Sequence, residues 1–334
     1  MTGKTDVVRC RYITGELKEI EIEGHTEFVT PGSVLEQRLV RVNGKPFVCK
    51  YVSRAAGARN PRLYDLLDNE IRAGARLGQS YPDRYPRELA QLVAYNIDAE
   101  EPFALLREYS GVPVAGPAAR FQDAERKQFE RALFRLLRLT SEAGVVHGAV
   151  TTDALRWDNG VLQLVDFESS ERVGELRRPG AGAVRSPEQA AATGVVDARD
   201  DLWAAALLVR RLHLGPSVDA QPDRRHDPDR LRGLLDPVLG TTVEHRPTAA
   251  ELLSRLHGDN HLPSFVDPEA RFAQGRELFE NVARGKAPAR GQMATAGRAQ
   301  STEDSPGRRR KRFFPFLSAM LLVSVMVVAS EVIA

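Results

Sequence analysis

Cysteine is scarce in this chain, whose 334 residues include only Cys10 and Cys49. Two cysteines at these positions predict neither a disulfide framework nor a zinc site, and they fit a reducing compartment. Residues 1–6 have no apolar h-region, so no secretory signal peptide is evident. The net charge is only +2, with a pI of about 8.6, so the composition gives no sign of the basic surface that is typical of nucleic-acid-binding proteins.

Hydrophobic residues make up 42% of the chain and charged residues 28%, which is enough apolar material for a large packed core. Strand-like alternation dominates residues 18–52, where Asn43-Gly44 between two apolar runs predicts a β-hairpin. Later segments such as residues 62–77 and 124–143 have helical spacing. Strands early and helices late predict an α+β fold with two lobes, a small β-rich N-terminal lobe and a larger helical C-terminal lobe.

The C-terminal part differs in composition from the rest. Residues 287–307 are poor in large apolar side chains and predict a flexible linker, which leads into the basic block 308–312. Residues 313–334 carry no charge before Glu331, and about 18 of them would form a helix of roughly 27 Å, close to the thickness of a bilayer core. A buried helix is the alternative. We expect a single span of the cell membrane, with the N-terminal domain kept cytoplasmic by the basic block.

The most informative stretch of the sequence runs from Val145 to Glu168. It contains His147-Gly148-Ala149 and ends in Asp166-Phe167-Glu168. Protein kinases carry His-Arg-Asp, an Asn five residues after that Asp, and then Asp-Phe-Gly. The stretch therefore resembles the catalytic loop and metal-binding strand of the bacterial Ser/Thr protein kinase family.

Three positions of this resemblance lack the groups that phosphoryl transfer uses. Ala149 stands where the family has its catalytic Asp, Thr151 where it has a Lys at the γ-phosphate, and Ala154 where it has the metal-binding Asn. Asp166 is kept, and the resemblance implies a Mg²⁺ ligand there; a turn carboxylate capping local N–H groups is the alternative. Glu168 replaces the Gly and places a second carboxylate where it would repel a bound triphosphate.

The resemblance also implies a nucleotide site, with ATP and Mg²⁺ as the cofactors that it would hold. Lys50 matches the Lys that contacts the α- and β-phosphates, and Glu70 matches its partner on the following helix. A solvated lysine at a strand end and a surface glutamate are the alternative. Glu108 and Tyr109 follow the strand that matches the adenine-binding hinge.

Glycine is sparse where the family cradles phosphate with a glycine-rich loop. Residues 28–36 contain only Gly32, and Pro31 has no N–H group to donate. The sequence therefore predicts weak or absent nucleotide binding.

Residues that form the scaffold of the family are better kept than its catalytic residues. Glu188 matches a Glu that pairs with a late Arg, which is Arg246 in this chain. Asp201 matches the Asp that anchors the catalytic-loop backbone beside His147. A buried charge without its partner costs several kcal/mol, so such pairs tend to be kept or lost together.

The resemblance divides the chain into a kinase-like N-lobe over residues 25–111 and a kinase-like C-lobe over residues 112–284. The remaining segments are an N-terminal extension, a flexible basic juxtamembrane linker and the transmembrane helix, over residues 1–24, 285–312 and 313–334. Residues 169–185 stand in the place of the activation loop. Candidate phosphate acceptors in it or directly after it are Ser169, Ser170 and Ser186, and candidate partners for the phosphate are Arg172, Arg177 and Arg178. A solvated loop is the alternative.

Loss of catalytic groups alongside kept structural pairs predicts a membrane-tethered pseudokinase. Such a protein would act as a regulatory or scaffolding module for a cytoplasmic or membrane-associated signalling protein, with no nucleic acid involved. An active but atypical Ser/Thr protein kinase stays open, because Lys50, Glu70 and Asp166 are the groups that position MgATP. A small-molecule phosphotransferase is a third interpretation, and the alanine at position 149 argues against it as well.

Overall fold

The computed structural model describes residues 5–179, 184–220, 223–240, 242–269, 273 and 277. Those up to residue 273 belong to one compact unit. The helices formed by the described residues include none with the length and apolar character to cross a membrane. The linker predicted over residues 285–312 and the membrane segment predicted over residues 313–334 lie outside the described residues, so location at the cell membrane stays a prediction.

The first six strands form a closed antiparallel barrel. Their bounds are β1 Thr5–Tyr12, β2 Leu17–Glu27, β3 Glu36–Val42, β4 Lys45–Tyr51, β5 Leu92–Asn96 and β6 Phe103–Arg107. Around the barrel the order is β1-β2-β3-β4-β6-β5. The first strand closes the barrel by pairing with β5, through Arg11 opposite Tyr95 and Tyr12 opposite Ala94. A closed sheet leaves no unpaired edge strand.

Alternation along the strands decides what fills the barrel. On β2, Ile20 and Ile22 are buried, whereas the flanking Glu19, Glu21 and Glu23 are exposed. The inward side chains form one apolar cluster, consisting of Cys10, Ile20, Ile22, Val40, Val42, Cys49, Ala94, Phe103 and Leu105. Both cysteines are free thiols within it, and burial raises the pKa of each.

The predicted fold class, a two-lobed protein-kinase-like α+β fold with a transmembrane helix, is wrong. The prediction began the β-rich lobe at residue 25 and treated residues 1–24 as an extension, whereas the sheet begins at Thr5 and closes on itself. Val8, Cys10 and Tyr12 of β1 face the barrel interior. A strand with so few inward apolar positions gives a weak signal, and the signal does not reveal which distant strand it pairs with.

Eight helices and five short strands are found among the other described residues. The helices are α1 Arg54–Arg59, α2 Arg62–Ser80, α3 Ala115–Ala118, α4 Asp123–Glu142, α5 Pro187–Ala190, α6 Asp200–Leu214, α7 Asp229–Leu239 and α8 Ala249–Arg255. The strands are β7 Val112–Pro113, β8 Val145–Val146, β9 Leu155–Asp158, β10 Val161–Leu164 and β11 Glu171–Arg172.

Two tight hairpins have the turns that their sequences predict. Asn43 and Gly44 connect β3 to β4 with φ values of 51° and 72°, and Asn159 and Gly160 connect β9 to β10 with 45° and 94°. Two successive residues with positive φ are the signature of a type I′ turn, in which Asn-Gly is the favoured pair.

Helix α2 packs closely on the barrel. A Cβ atom at Gly74 would lie 2.6 Å from the Cβ of Leu92 on β5, so a larger residue there would push the helix away. The buried face of the helix carries Leu63, Leu67 and Ile71 at helical spacing, with Glu70 among them at 1% exposure. The packing of α2 therefore fixes a single carboxylate against the outer side of the barrel.

Residues 259–269 follow α8 and lie across other parts of the compact unit. At their end, the Glu269 carboxylate bridges Arg76 of α2, at 2.7 Å, and Arg172 of β11, at 2.5 Å. The same segment contacts α4 through Arg135, which lies 3.2 Å from Asp259. The segment thus links α2, α4 and β11 by ion pairs.

Candidate functional site

Lys50 is the centre of a buried cluster of charges. Its Nζ lies 2.8 Å from Glu70, 2.5 Å from Asp166 and 3.0 Å from Glu168, and the residue has 0% exposure. Because side chains alternate along β4, Cys49 faces the barrel interior and Lys50 faces α2. The lysine and glutamate that the sequence pairs thus lie in direct contact.

The backbone after β10 brings the other two carboxylates to Lys50. Asp166 has a left-handed conformation, with φ of 65°, and it precedes a 3₁₀ turn at Phe167–Ser169. Aspartate tolerates this conformation better than most residues. The turn places Glu168, at 4% exposure, next to the loop between β2 and β3.

Glu168 is held by three different kinds of donor. Lys50 supplies an ammonium group, Ser33 donates its hydroxyl hydrogen bond, and the backbone N–H of Val34 donates at 2.8 Å. Ammonium groups, hydroxyls and backbone N–H groups in a turn are the donors that commonly bind phosphate oxygens. In this protein the Glu168 carboxylate accepts from all three donors.

The loop between β2 and β3 is held down over the cluster. Gly32 has φ of 82°, and a Cβ there would lie 3.1 Å from the Cβ of Asp153. Gln37 donates to Ser33 Oγ at 2.5 Å and accepts from Thr30 at 2.8 Å. The loop that the resemblance aligns with a phosphate-binding loop is therefore bonded to the protein's own side chains.

Three carboxylates share one ammonium group, and their pKa values respond differently. Burial raises the pKa of Glu70 to about 7, even though Lys50 opposes the shift. Burial also raises the pKa of Asp166. For Glu168 burial acts in the same direction, but Lys50 and the hydrogen bonds from Ser33 and Val34 outweigh it and lower the pKa. Glu168 therefore stays ionised, and Glu70 takes up a proton before Glu168 does.

The raised pKa of Glu70 predicts a pH dependence of stability. A carboxyl whose pKa is higher in the folded than in the unfolded protein stabilises the fold below about pH 4.5, and the contribution is lost as the pH rises through about 7. Between about pH 4.5 and 7 we expect the free energy of unfolding of Glu70→Gln to fall less steeply than that of the wild type, by up to about 1.4 kcal/mol per pH unit. Urea unfolding at several pH values measures this dependence of stability on pH. The exposed Glu27→Gln should keep the wild-type slope, and an unchanged slope in Glu70→Gln would contradict the assignment.

The same carboxylates are the candidate ligands for a metal ion. Oxygen atoms of Glu70, Asp166 and Glu168 all lie within 4.8 Å of one another, and carboxylate oxygens suit Mg²⁺. Lys50 Nζ, however, lies within 3.0 Å of each of them, and its single positive charge offsets one of the three carboxylates. Among the described residues Asp166 Oδ2 is a buried oxygen with no hydrogen-bond partner. A metal ion at this position would therefore have to compete with the Lys50 ammonium group for the three carboxylates.

The degenerate positions lie in the loop between β8 and β9. Thr151 Oγ1 accepts a hydrogen bond from the backbone N–H of Ala154 at 3.4 Å, which closes a local turn. Ala149 carries no group that could take a proton. Its own N–H donates to His147 Nδ1 at 3.3 Å.

His147 and Asp201 fix the start of this loop. Asp201 accepts from the backbone N–H groups of His147, at 2.6 Å, and Gly148, at 2.9 Å. His147 Nε2 lies 3.0 Å from the carbonyl oxygen of Val165, so it carries the hydrogen and Nδ1 accepts. Burial lowers the pKa of His147 to about 4, and the neutral ring has both nitrogens engaged. It is therefore a structural histidine here and no general base.

Glu188 and Arg246, which the resemblance pairs, form an ion pair although they lie far apart in the sequence. Arg246 Nη2 lies 2.9 and 2.7 Å from the two carboxylate oxygens of Glu188, and its Nε donates to the carbonyl of Val238 at 3.1 Å. The Arg246 side chain has 0% exposure. The pair fixes α5 against the turn before α8.

The two residues expected at an adenine-binding hinge have different surroundings. Glu108 is exposed. Tyr109 is 7% exposed, and its ring lies 6.1 Å from that of Phe28. Its hydroxyl is buried and has no hydrogen-bond partner among the described residues. Tyr109 lies close enough to Lys50 and Asp166 for their charges to act on its pKa, which burial raises, whereas Glu108 is directed to solvent.

Sequence reasoning missed the polar residues that surround Glu168. Ser33 and Val34 bind its carboxylate, and Asn69 donates to its backbone carbonyl at 2.9 Å. Gln37 offers the one usable signal, because it is a polar residue at a buried position of a strand, at 7% exposure. Polar groups at such positions need partners, which here come from a distant part of the chain.

Comparison with known proteins does not assign this chain to a family. No protein-family model matches the sequence, and no curated protein matches it either. The kinship suggested by residues 145–168 therefore stays a resemblance.

Proposed function

We propose that this protein is a catalytically silent, kinase-related regulatory module that acts by binding another protein. The observation that supports the proposal most is the placement of Glu168, which takes the ammonium group of Lys50, the hydroxyl of Ser33 and the N–H of Val34. A nucleotide phosphate would have to displace a charged side chain from these donors. The function is inferred from the side chains of the site, because a fold by itself does not fix a function.

The catalytic loop supports the same proposal. Transfer of a phosphoryl group to a hydroxyl needs a group that accepts or orients the hydroxyl proton. Alanine at position 149 has none, and the ring nitrogens of His147 are both engaged by the backbone. Positioning alone would leave at most a low residual rate.

One observation favours a second candidate, an active but atypical Ser/Thr protein kinase. The Lys50–Glu70 ion pair, at 2.8 Å, has the geometry that active kinases use to hold the α- and β-phosphates. In this chain the same lysine also contacts Asp166 and Glu168, so the pair is not free to serve a nucleotide.

The proposal is tested by melting the full-length protein with and without MgATP and by following transfer of labelled phosphate. We expect neither a shift of Tm at millimolar MgATP nor any labelled product. Glu168→Ala, which frees the donors, is expected to acquire a shift, since a ligand at 100 times its Kd adds about 2.7 kcal/mol of stability.

Labelled phosphate that appears with the wild-type protein and disappears with Lys50→Met would assign the transfer to this chain and favour the active kinase. A shift of the wild-type protein without transfer would mean that nucleotide binds despite Glu168. Glu27→Ala, at an exposed position of β2, serves as the control for the effect of losing a glutamate.

A further inference from the structure

Two adjoining cavities form a groove away from the charged cluster. Their volumes are about 610 and 290 Å³, and both are lined by Arg87, Glu88 and Arg135. Arg84 extends the first and Arg131 the second. We call the surface formed by these four arginines the basic groove.

The basic groove carries more positive than negative charge. Its lining carboxylates, Glu88 and Asp259, are both engaged by Arg135, at 3.2 Å each. Arg84, Arg87 and Arg131 have no ion-pair partner in the part of the chain that the structure describes. Three guanidinium groups are thus available around one concave surface.

The floor of the groove is built before any ligand arrives. Arg135 donates to the backbone carbonyls of Asp259, at 3.0 Å, and His261, at 2.8 Å, which fixes both its guanidinium group and the segment that crosses it. The turn at Gly160 lies against Gln128 of α4, so closely that a Cβ there would meet its amide. A surface held this way loses little freedom when it binds a partner.

From this arrangement we propose that the basic groove docks an acidic peptide segment of the partner protein. The inference rests on the proposed function, because it names where and by what chemistry that partner binds. Guanidinium groups bind carboxylates through paired hydrogen bonds, and three of them spaced around a groove match a segment with several Asp or Glu residues. The concave shape suits an extended peptide better than the flat surface of a bilayer.

The test uses the full-length protein and a fluorescein-labelled peptide of twelve residues that alternates Glu, Asp and Ser. We expect saturable binding by anisotropy that weakens as salt is added, and no binding of a matched peptide with Gln and Asn in place of the acids. Arg87→Glu combined with Arg131→Glu should weaken binding at least tenfold. The control combines Arg59→Glu with Arg62→Glu, two exposed arginines elsewhere that give the same change in net charge, and should stay within twofold of wild type.

Equal losses in the two double variants would overturn the proposal, because the attraction would then be non-specific. So would binding of phosphatidylserine vesicles, but not of the peptide, that depends on Arg87 and Arg131, since the surface would then meet a lipid bilayer. Melting curves check that each variant is folded. If the wild-type protein binds neither the peptide nor MgATP, only the groove proposal fails. If the wild-type protein transfers phosphate, the proposed function fails, and the peptide measurement still decides whether the groove binds acidic segments.

Discussion

Lys50→Met is expected to destabilise the protein by about 3–5 kcal/mol at neutral pH. The substitution leaves Glu70, Asp166 and Glu168 in one buried site without the cation that they share. The loss should become smaller as the pH falls, because protonated carboxyl groups need no counterion. Chemical denaturation of the variant between pH 5 and pH 8 measures both effects.

Lys18→Met is the matched control for the Lys50 experiment. Lys18 also pairs with a glutamate, Glu16, at 3.0 Å, but both side chains are about half exposed, so Tm should hardly change. Adding Glu70→Gln and Glu168→Gln to Lys50→Met should recover part of the lost stability, because it removes two of the stranded charges. A Lys50→Met protein that melts like the wild type would show that the cluster does not stabilise the fold.

Arg177→Met is expected to have the second large effect, a loss of about 3–5 kcal/mol. The sequence suggested Arg177 as a partner for a phosphate group. Instead its guanidinium group makes two bonds to Asp200, at 3.0 and 2.9 Å, and one to the carbonyl of Thr193 at 2.5 Å. Removing it would leave Asp200, with 1% exposure, buried without its cation.

The neighbouring arginine provides the control. Arg178 is half exposed and lies 3.5 Å from Glu175, so Arg178→Met should cost less than about 1 kcal/mol. Combining Arg177→Met with Asp200→Asn should cost less than the sum of the two single changes, since the double variant strands no charge. If Arg177→Met and Arg178→Met were equally mild, the Arg177–Asp200 pair would have no structural role.

Local features of this fold were accessible from the sequence, and the closure of the sheet was not. The Asn-Gly turns of the β3–β4 and β9–β10 hairpins depend on a few neighbouring residues, and their positive φ values follow from the preference of asparagine and glycine. Closure depends on β1 meeting β5, which is a pairing between distant segments. Alternation shows that a strand has an inner face but does not identify its neighbour.

The side-chain contacts of the candidate site were likewise only partly predictable from the sequence. Its lysine and glutamate, Lys50 and Glu70, were chosen from the sequence, and the structure has them 2.8 Å apart. Glu168 was expected to lie near a bound triphosphate and to repel it. It instead contacts the donors themselves, through Ser33 and Val34 more than 130 residues earlier in the chain. The spacing of residues near Glu168 carries no information about these contacts.

The pairing of β1 with β5 affects how the barrel folds during synthesis of the chain. Arg11 and Tyr12 of β1 pair with Tyr95 and Ala94, so the barrel cannot close until β5 has been synthesised. Until then both flanks of the growing sheet have unpaired backbone groups that another chain can bind. Fragments that end before β5 are therefore expected to aggregate more readily than the chain with the complete barrel.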